Sequence, residues 1–143
     1  MKIRKRFFAW LLKQGDSFNH ALYGDIKREL FQGIKGTVLE IGPGSGVNFK
    51  YLKNVEQWFG IEPNDFFHED ILKVGRQEGI PVSLIKQDAE SISLTDNSVD
   101  HVICTLVLCS VPDPDKAIRE IKRVLKPGGS LIFIEPDYAL GLK

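Results

Sequence analysis

The chain has 143 residues, 43% of them hydrophobic, and its 19 basic residues balance its 19 acidic ones. A neutral chain of this length is typical of one globular domain with its own core, and it lacks the basic excess that nucleic-acid-binding proteins usually carry. Its two cysteines, Cys104 and Cys109, exclude a disulfide framework and a zinc-ligand set. We therefore predict a single domain over residues 1–143, with residues 1–33 as an N-terminal helical extension, no metal, no nucleic-acid partner and a cytoplasmic location.

The N-terminal segment, MKIRKRFFAWLLKQ, joins four early cations to an apolar patch. The patch, residues 7–12, is far shorter than the ~20 apolar residues that span a bilayer, and no small-residue cleavage site follows it. Two interpretations stay open: an amphipathic helix packed on the domain, and a helix lying on an anionic membrane surface with its cations at the headgroups.

The first long helix is predicted over residues 17–33. Its apolar stripe, which we expect to pack on the domain, consists of Leu22, Ile26, Leu30 and Phe31. A short helix is expected after the glycine-rich turn, with Phe49 and Leu52 facing inward.

Two later helices carry start signals. One is capped by Asn64 or Asp65, and the other by Asp113, with Pro114 at its first position. Strands are predicted at residues 37–41, 57–62, 81–87, 99–107 and 130–135. Apolar strands that alternate with helices predict an α/β doubly wound fold, with a mostly parallel sheet that binds its ligand at the carboxyl ends of the strands.

The turn after the first strand reads VLEIGPGSGVN, residues 38–48. It lacks the lysine that a phosphate-binding P-loop needs after its last glycine. A dinucleotide turn reads G-x-G-x-x-G, whereas Gly42, Gly44 and Gly46 follow G-x-G-x-G, and Pro43 removes one N–H donor. Glu40 suits a cationic ligand better than a pyrophosphate. The turn therefore favours S-adenosylmethionine, and Gly44→Val is expected to abolish its binding.

Acidic residues also end the second and third predicted strands. Glu62 is placed to accept hydrogen bonds from both ribose hydroxyls, a device that nicotinamide enzymes share. Asp88 is placed to accept from an adenine amino group, while the N–H of Ala89 meets the ring. Each acid taken alone is better explained as a helix cap or as part of a solvated loop. Together with Glu40, they favour an adenosine-bearing ligand.

Four segments resemble the successive motifs of class I S-adenosylmethionine-dependent methyltransferases of the type 11 pattern: VLEIGPGSG, GIEPN, KQDAESISLTDNSVD and VLKPGGSLIFIEP. The resemblance covers roughly residues 28–136 and implies a Rossmann-like, five-stranded sheet in the order 3-2-1-4-5. It implies S-adenosylmethionine as cofactor and S-adenosylhomocysteine as product. The cofactor-binding residues that it implies are Glu40, Gly42, Pro43, Gly44 and Gly46 at the methionine, Glu62 and Pro63 at the ribose, Asp88 and Ala89 at the adenine, and Thr105 and Leu106 near the sulfonium.

A narrower set of segments, KRELF, GVNFKYL, CTLVLCSVPDP and REIKRVLKPGG, is similar to the small membrane-associated thiol methyltransferases of the methyltransferase-like seven group. Bacterial phospholipid and quinone methyltransferases share much of this pattern. The Asn-Pro-Pro-aromatic motif of many base-modifying enzymes is absent. These resemblances imply a small acceptor, a thiol, a quinone or a lipid-like compound, and peripheral attachment to a membrane as an alternative location.

No residue type or spacing singles out a catalytic base. The candidates are His20, Tyr23 and Asp113, followed by His101 and Glu135. We expect His101 to be packed or at a strand edge and His68 to lie on a surface away from the strand ends. Cys104 and Cys109 are expected to be buried apolar side chains.

The strand at residues 130–135 is the fifth and last, whereas class I methyltransferases usually have two more. This keeps open a cofactor-binding module or inactive remnant that acts through a partner, and an NAD-binding oxidoreductase is a third option. An apolar edge strand tends to recruit another chain. A homodimer is therefore predicted, with pairing to another subunit or cover by the chain's own N-terminal helix as the alternatives.

Overall fold

The computed structural model describes residues 15–135, without the side chains of residues 16–19, together with Arg4 and Arg6. Three helices and five strands follow one another in this part of the chain. In chain order they are α1 (Asp16–Phe31), β1 (Lys35–Ile41), β2 (Asn54–Ile61), α2 (His68–Gln77), β3 (Val82–Ile85), β4 (Val99–Thr105), α3 (Pro114–Val124) and β5 (Leu125–Ile134). Short 3-10 turns cover Phe49–Tyr51, Asp65–Phe67 and Leu108–Ser110.

All four strand pairs are parallel, and the strand order is β3-β2-β1-β4-β5. β1 lies at the centre, where Ile41 pairs with Ile61 of β2 on one side and with Cys104 of β4 on the other. The predicted α/β fold and strand order are therefore confirmed. The crevice above the carboxyl end of β1 is the place where the strand order reverses, which is where such sheets bind their ligands.

The two faces of the sheet bury separate clusters, because neighbouring residues of a strand point to opposite sides. Val38 of β1 belongs to the cluster that includes Phe31 of α1 and Ile71 of α2. Leu39 belongs to the other cluster, with Ala117, Ile121 and Val124 of α3. Full burial of an aliphatic or aromatic side chain stabilises a fold by about 1.5–3 kcal/mol, so both layers contribute to holding the sheet.

The orientation of α1 differs from the sequence prediction. Leu22, Ile26 and Leu30 are 58%, 47% and 41% exposed, so the prediction that they pack on the domain is wrong, and it holds only for Phe31. Lys27 is fully buried instead, with its ammonium 5.8 Å from the ring centroid of Tyr51 and close enough to the buried carboxylate of Glu40 to lower its pKa. A buried carboxylate favours a cation beside it over another aliphatic side chain.

The predicted helix starts are confirmed in both cases. The Asn64 side chain, rather than that of Asp65, accepts from the N–H of Phe66 at 3.2 Å, at the turn that leads into α2. Asp113 Oδ1 accepts from the N–H of Lys116 at 3.1 Å, and Pro114 is the first residue of α3.

Strand bounds differ from the predictions at both ends. β3 and β4 are shorter than expected, ending at Ile85 and Thr105, and β5 begins at Leu125, well before the predicted residue 130. In the part of the chain that the structure describes, β5 forms an edge of the sheet and exposes 59% of Phe133. No helix among the described residues is both long enough and apolar enough to cross a bilayer. The apolar patch at residues 7–12 lies outside the described residues.

Candidate cofactor site

The glycine turn joins β1 to the 3-10 turn at Phe49–Tyr51 and lies at the carboxyl end of the central strand. Gly42 has φ +62°, its N–H donates to the Ile61 carbonyl at 2.9 Å, and a Cβ there would collide with Cγ2 of Val107. Gly44 has φ +57°, but no protein atom lies within 4 Å of where its Cβ would stand. The first glycine is thus required by packing, whereas the second faces open space next to the crevice.

Glu62 follows β2 and is bound to the glycine turn. Its Oε2 accepts from the N–H of Gly44 at 3.2 Å, and its Oε1 accepts from the N–H of Asn64 at 2.9 Å. The residue is only 6% exposed, and burial raises the pKa of its carboxyl group against the lowering effect of these two N–H groups and of His68. A carboxylate oxygen has two lone pairs, so each oxygen can accept one further hydrogen bond from a ligand.

His68 lies at this site, and the prediction that it is remote from the strand ends is wrong. Its Nε2 is 2.7 Å from the carbonyl oxygen of Glu62 and only part of its surface is exposed. The 3-10 turn at Asp65–Phe67 folds the chain back, so the first residue of α2 stands over the end of β2. This reversal depends on a turn conformation that helical periodicity does not reveal.

The segment after β3 carries the two residues expected near an adenine. Asp88 is exposed and Ala89 is buried at 5% exposure. The Asp88 carbonyl accepts from the N–H of Ser91 at 3.2 Å, which turns the chain at this point. Pro63, the second residue expected near the ribose, is exposed beside Glu62.

The segment after β4 contacts the glycine turn. Thr105 Oγ1 accepts from Asn48 Nδ2 at 2.9 Å, and Val107 fills the space beside Gly42. Leu106 has φ +57°, and its N–H donates to the Ile134 carbonyl at 2.7 Å. The ends of β4 and β5 therefore meet the turn at the same edge of the sheet.

Glu40 occupies a different position from the one expected. It was expected beside the methionine of the cofactor, but it is 1% exposed and lies inside the fold. Its Oε1 accepts from Asn48 Nδ2 at 2.5 Å and its Oε2 from Trp58 Nε1 at 3.2 Å. Burial raises the pKa of Glu40 to about 7, although both hydrogen bonds and the nearby Lys27 lower it. Its oxygens support the turn through Asn48, a residue that sequence reasoning missed because a buried amide partner leaves no periodic signal.

The candidates for a catalytic base have other contacts. His20 Nδ1 is 2.7 Å from the hydroxyl of Tyr51, and Asp113 caps α3. Tyr23 is partly exposed on α1. His101 pairs with Val38 of β1 and with Ser130 of β5, and its Nδ1 lies 2.7 Å from the Ser130 hydroxyl, so it is held between two strands and is not at an edge of the sheet.

The two cysteines differ from each other. Cys104 is buried, as expected, and burial with the nearby Glu40 and Glu135 carboxylates raises the pKa of its thiol to about 12. Cys109 is exposed, so the prediction that it is buried is wrong. The 3-10 turn at Leu108–Ser110 interrupts the apolar run and directs this residue outward. Among the described residues, no three His, Cys, Asp or Glu side chains form a group that could hold a metal ion.

Comparisons with known proteins show the family to which the chain belongs. The family model described as a methyltransferase domain matches residues 39–133. The chain belongs to the class I S-adenosylmethionine-dependent methyltransferase family. Methyltransferases of this family use S-adenosylmethionine as cofactor, as the sequence resemblance implied.

Relatives and solved structures agree with this assignment. Rat thiol S-methyltransferase TMT1B is 35% identical over 144 residues, covering 93% of this chain and 59% of the relative. Human thiol S-methyltransferase TMT1A is 33% identical with the same coverage, and the ubiquinone/menaquinone C-methyltransferase UbiE of Escherichia coli is 34% identical over 106 residues, covering 69% and 42%. A SAM-dependent methyltransferase structure from Aquifex aeolicus has a TM-score of 0.67 at 25% identity, covering 76% of this chain and 63% of that one.

This methyltransferase chain spans about three-fifths of the length of the thiol methyltransferases that it matches. The structure of the [4+2]-cyclase SpnF is also similar, with a TM-score of 0.69 at 32% identity, covering 78% of this chain and 43% of that one. The fold therefore carries more than one chemistry, so the activity must be argued from the site.

Proposed function

We propose that this chain binds S-adenosylmethionine in the crevice above β1, β2 and β3 and transfers its methyl group to a small-molecule acceptor. The observation that supports the proposal is the contact of Glu62 with the glycine turn. One carboxylate bridges the N–H of Gly44 and the N–H of Asn64 beside an open space next to Gly44. That arrangement leaves lone pairs for two ribose hydroxyls and leaves room for the rest of the ligand at the point where the strand order reverses.

The other cofactor contacts in this proposal follow the ends of the strands. Asp88, exposed after β3, accepts a hydrogen bond from the adenine amino group, and the Ala89 N–H meets the ring. The turn at Gly42–Gly46 approaches the methionine part, and the segment from Thr105 closes the site from β4. Glu40 supports the methionine side of the site from inside the fold by accepting a hydrogen bond from Asn48, which follows the turn.

When bound, the cofactor supplies a methyl carbon on a positive sulfur. Transfer forms a bond from the acceptor atom to that carbon as the carbon–sulfur bond breaks, leaving a neutral thioether. The chain's part is to bind, to orient the two partners in line and to exclude water. Glu62 fixes one end of the cofactor, and the packed contact of Val107 with Gly42 forms a wall near the other.

A thiol is the acceptor that we favour. The thiol S-methyltransferases are similar to this chain over 92% or more of its length, whereas the quinone methyltransferases cover 69% of it. A thiol loses its proton far more readily than a carbon acid does, so a thiolate can attack without a strong base in the site. This fits a site in which His20 is hydrogen-bonded to Tyr51 and Asp113 caps α3. A quinone acceptor is the alternative, and it would need a group that removes a proton from carbon.

Isothermal calorimetry with S-adenosylhomocysteine and with NAD tests the cofactor. We expect S-adenosylhomocysteine to bind more tightly than NAD. Glu62→Gln should lower the affinity for S-adenosylhomocysteine about tenfold, because one of the two oxygens that accept from the ribose hydroxyls is replaced by an NH2 donor. Glu56→Gln is the matched control, since Glu56 is exposed near the start of the same strand. Tighter binding of NAD would overturn the cofactor proposal.

A screen of cofactor consumption tests the acceptor. Thiols, quinones, phospholipids and RNA are offered with the methyl donor, and S-adenosylhomocysteine is measured. We expect turnover with an apolar thiol. A preference for RNA would contradict the small-molecule proposal, and binding without turnover on any acceptor would instead support a cofactor-binding module that works through a partner.

We further propose weak membrane attachment through the N-terminal segment, because four cations precede the apolar patch at residues 7–12. Sedimentation with anionic vesicles should recover the full chain and lose the variant that lacks residues 1–14. Equal recovery of the two proteins would favour a helix packed on the domain.

A homodimer is proposed from the edge strand. Among residues 15–135, β5 forms an edge of the sheet and 59% of Phe133 is exposed, and both features favour pairing with another chain. Light scattering over a dilution series, with turnover measured on the same samples, tests it. A monomer with full activity at every concentration would contradict the proposal.

A further inference from the structure

The segment that follows β4, residues 106–110, is held in an unusual conformation by the end of β5. Leu106 has φ +57°, in the left-handed region that side chains other than glycine seldom occupy. Its N–H donates to the Ile134 carbonyl at 2.7 Å. A conformation of this kind persists only when neighbouring contacts hold it, and such residues concentrate at functional sites.

Glu135, the residue after β5, provides further contacts. Its Oε1 accepts from the N–H of Val107 at 3.1 Å and from the N–H of Leu108 at 2.8 Å. These two N–H groups start the 3-10 turn at Leu108–Ser110, where the backbone has no earlier carbonyl to bond to. Both hydrogen bonds converge on one oxygen atom, so the position of that oxygen fixes the start of the turn.

The same segment contacts the cofactor turn. Val107 occupies the space into which a Cβ of Gly42 would project, so the position of Val107 and the shape of the turn depend on each other. Just before this segment, Thr105 Oγ1 accepts a hydrogen bond from Nδ2 of Asn48, the second residue after the turn's last glycine. Glu135 is thus connected to the glycine turn through two backbone N–H groups and one packed side chain, although it is 93 positions away from Gly42 in the chain (135 minus 42).

We propose that Glu135 is a positioning residue for methyl transfer, which holds the segment after β4 against the glycine turn in the shape that the cofactor requires. The inference rests on the proposed function and adds a residue whose role there depends on hydrogen-bond geometry. Only Oε1 makes the contacts. Oε2 is buried and has no hydrogen-bond partner in the described part of the chain, so the contacts that hold the segment do not include the second oxygen.

Two substitutions separate geometry from charge. Glu135→Gln keeps an oxygen at the same reach and loses the charge. Glu135→Asp keeps the charge and withdraws the oxygen by one methylene. We expect Glu135→Gln to stay within about threefold of the wild type in affinity for S-adenosylhomocysteine. Glu135→Asp should lose about tenfold, because the shorter side chain withdraws its oxygen from the N–H groups of Val107 and Leu108.

Hydrogen exchange of the Val107 and Leu108 amides, measured without ligand, is the second readout. We expect exchange at both amides to become about tenfold faster in Glu135→Asp and to change little in Glu135→Gln. Asp100→Asn is the control, because Asp100 also accepts from a backbone N–H, that of Thr37 at 2.8 Å, but lies near the start of β4, away from the cofactor edge. It should leave the affinity for S-adenosylhomocysteine unchanged.

The outcomes distinguish this inference from the proposed function. If the wild type binds S-adenosylhomocysteine and Glu135→Asp binds it equally well with unchanged amide exchange, Glu135 does not position the segment and the proposed function stands. If Glu135→Gln loses turnover while Glu135→Asp keeps it, the charge acts in the chemistry and positioning is refuted. If the wild type does not bind S-adenosylhomocysteine, the proposed function fails, and this inference fails with it.

Discussion

Gly44 offers a direct test of where the cofactor lies. Gly44 and Gly79 have similar backbone angles, φ +57° and φ +68°, and neither has a protein atom within 4 Å of the position of a Cβ. Only Gly44 donates its N–H to Glu62. Replacing each by alanine therefore imposes the same backbone strain at two positions, one beside the proposed ligand and one at the end of α2.

The expected magnitudes follow from this comparison. A left-handed backbone costs a residue with a Cβ about 1–2 kcal/mol, and the smaller entropy of the unfolded chain returns about 0.4–1 kcal/mol. Both variants should thus lose about 1 kcal/mol in the free energy of unfolding, or roughly 3–5 °C in Tm. Only Gly44→Ala places a methyl group in the space proposed for the ligand. This methyl group should lower the affinity for S-adenosylhomocysteine by at least about tenfold, or about 1.4 kcal/mol.

Urea denaturation and calorimetry on the two variants and the wild type measure both quantities. Equal affinity of Gly44→Ala and Gly79→Ala for S-adenosylhomocysteine would refute the proposed position of the ligand, because the open side of the turn would then not be where it binds. A loss of stability several kcal/mol greater in Gly44→Ala than in Gly79→Ala would show that the space beside Gly44 is filled by protein.

Three further predictions concern stability and reactivity. Folding raises the pKa of Glu40 from 4.5 to about 7, so the folded protein binds this proton more tightly than the unfolded chain does. The free energy of unfolding should therefore fall by up to about 3 kcal/mol as the pH rises from 4.5 through 7. Urea titrations of Glu40→Gln at pH 4.5 and 8 should lack this part of the fall; an unchanged pH dependence would contradict the assignment. A thiol reagent should modify Cys109 alone in the folded protein and should reach Cys104 only after unfolding. Rapid modification of both cysteines in the folded protein would show that the end of β4 is open to solvent. Arg123→Met should lose about 2 kcal/mol of stability, because the guanidinium donates hydrogen bonds to two loop carbonyls and two carboxylates. Arg119→Met, on the exposed face of α3, should lose less than about 0.5 kcal/mol. Equal losses would show that these hydrogen bonds do not stabilise the fold.

Local sequence signals predicted the order of the elements and the position of the turn. Apolar strands alternating with helices are enough for a doubly wound sheet, and the Asn64 and Asp113 caps act within three residues of themselves. The glycine turn could be recognised from the sequence because its positive φ angles favour glycine at Gly42 and Gly44. Each of these signals depends on a few neighbouring residues, so each can be recognised from the sequence alone.

The tertiary structure decided which side chains the sheet buries and which polar groups meet. Leu22 resembled a core residue and is exposed, whereas Lys27 on the same helix is buried beside Tyr51. Glu40 was expected at the cofactor, and the fold buries it with hydrogen bonds to Asn48 and Trp58 that the sequence did not reveal. A buried charge is tolerated only where partners from other elements compensate its lost hydration, and those partners come together only when the chain has folded.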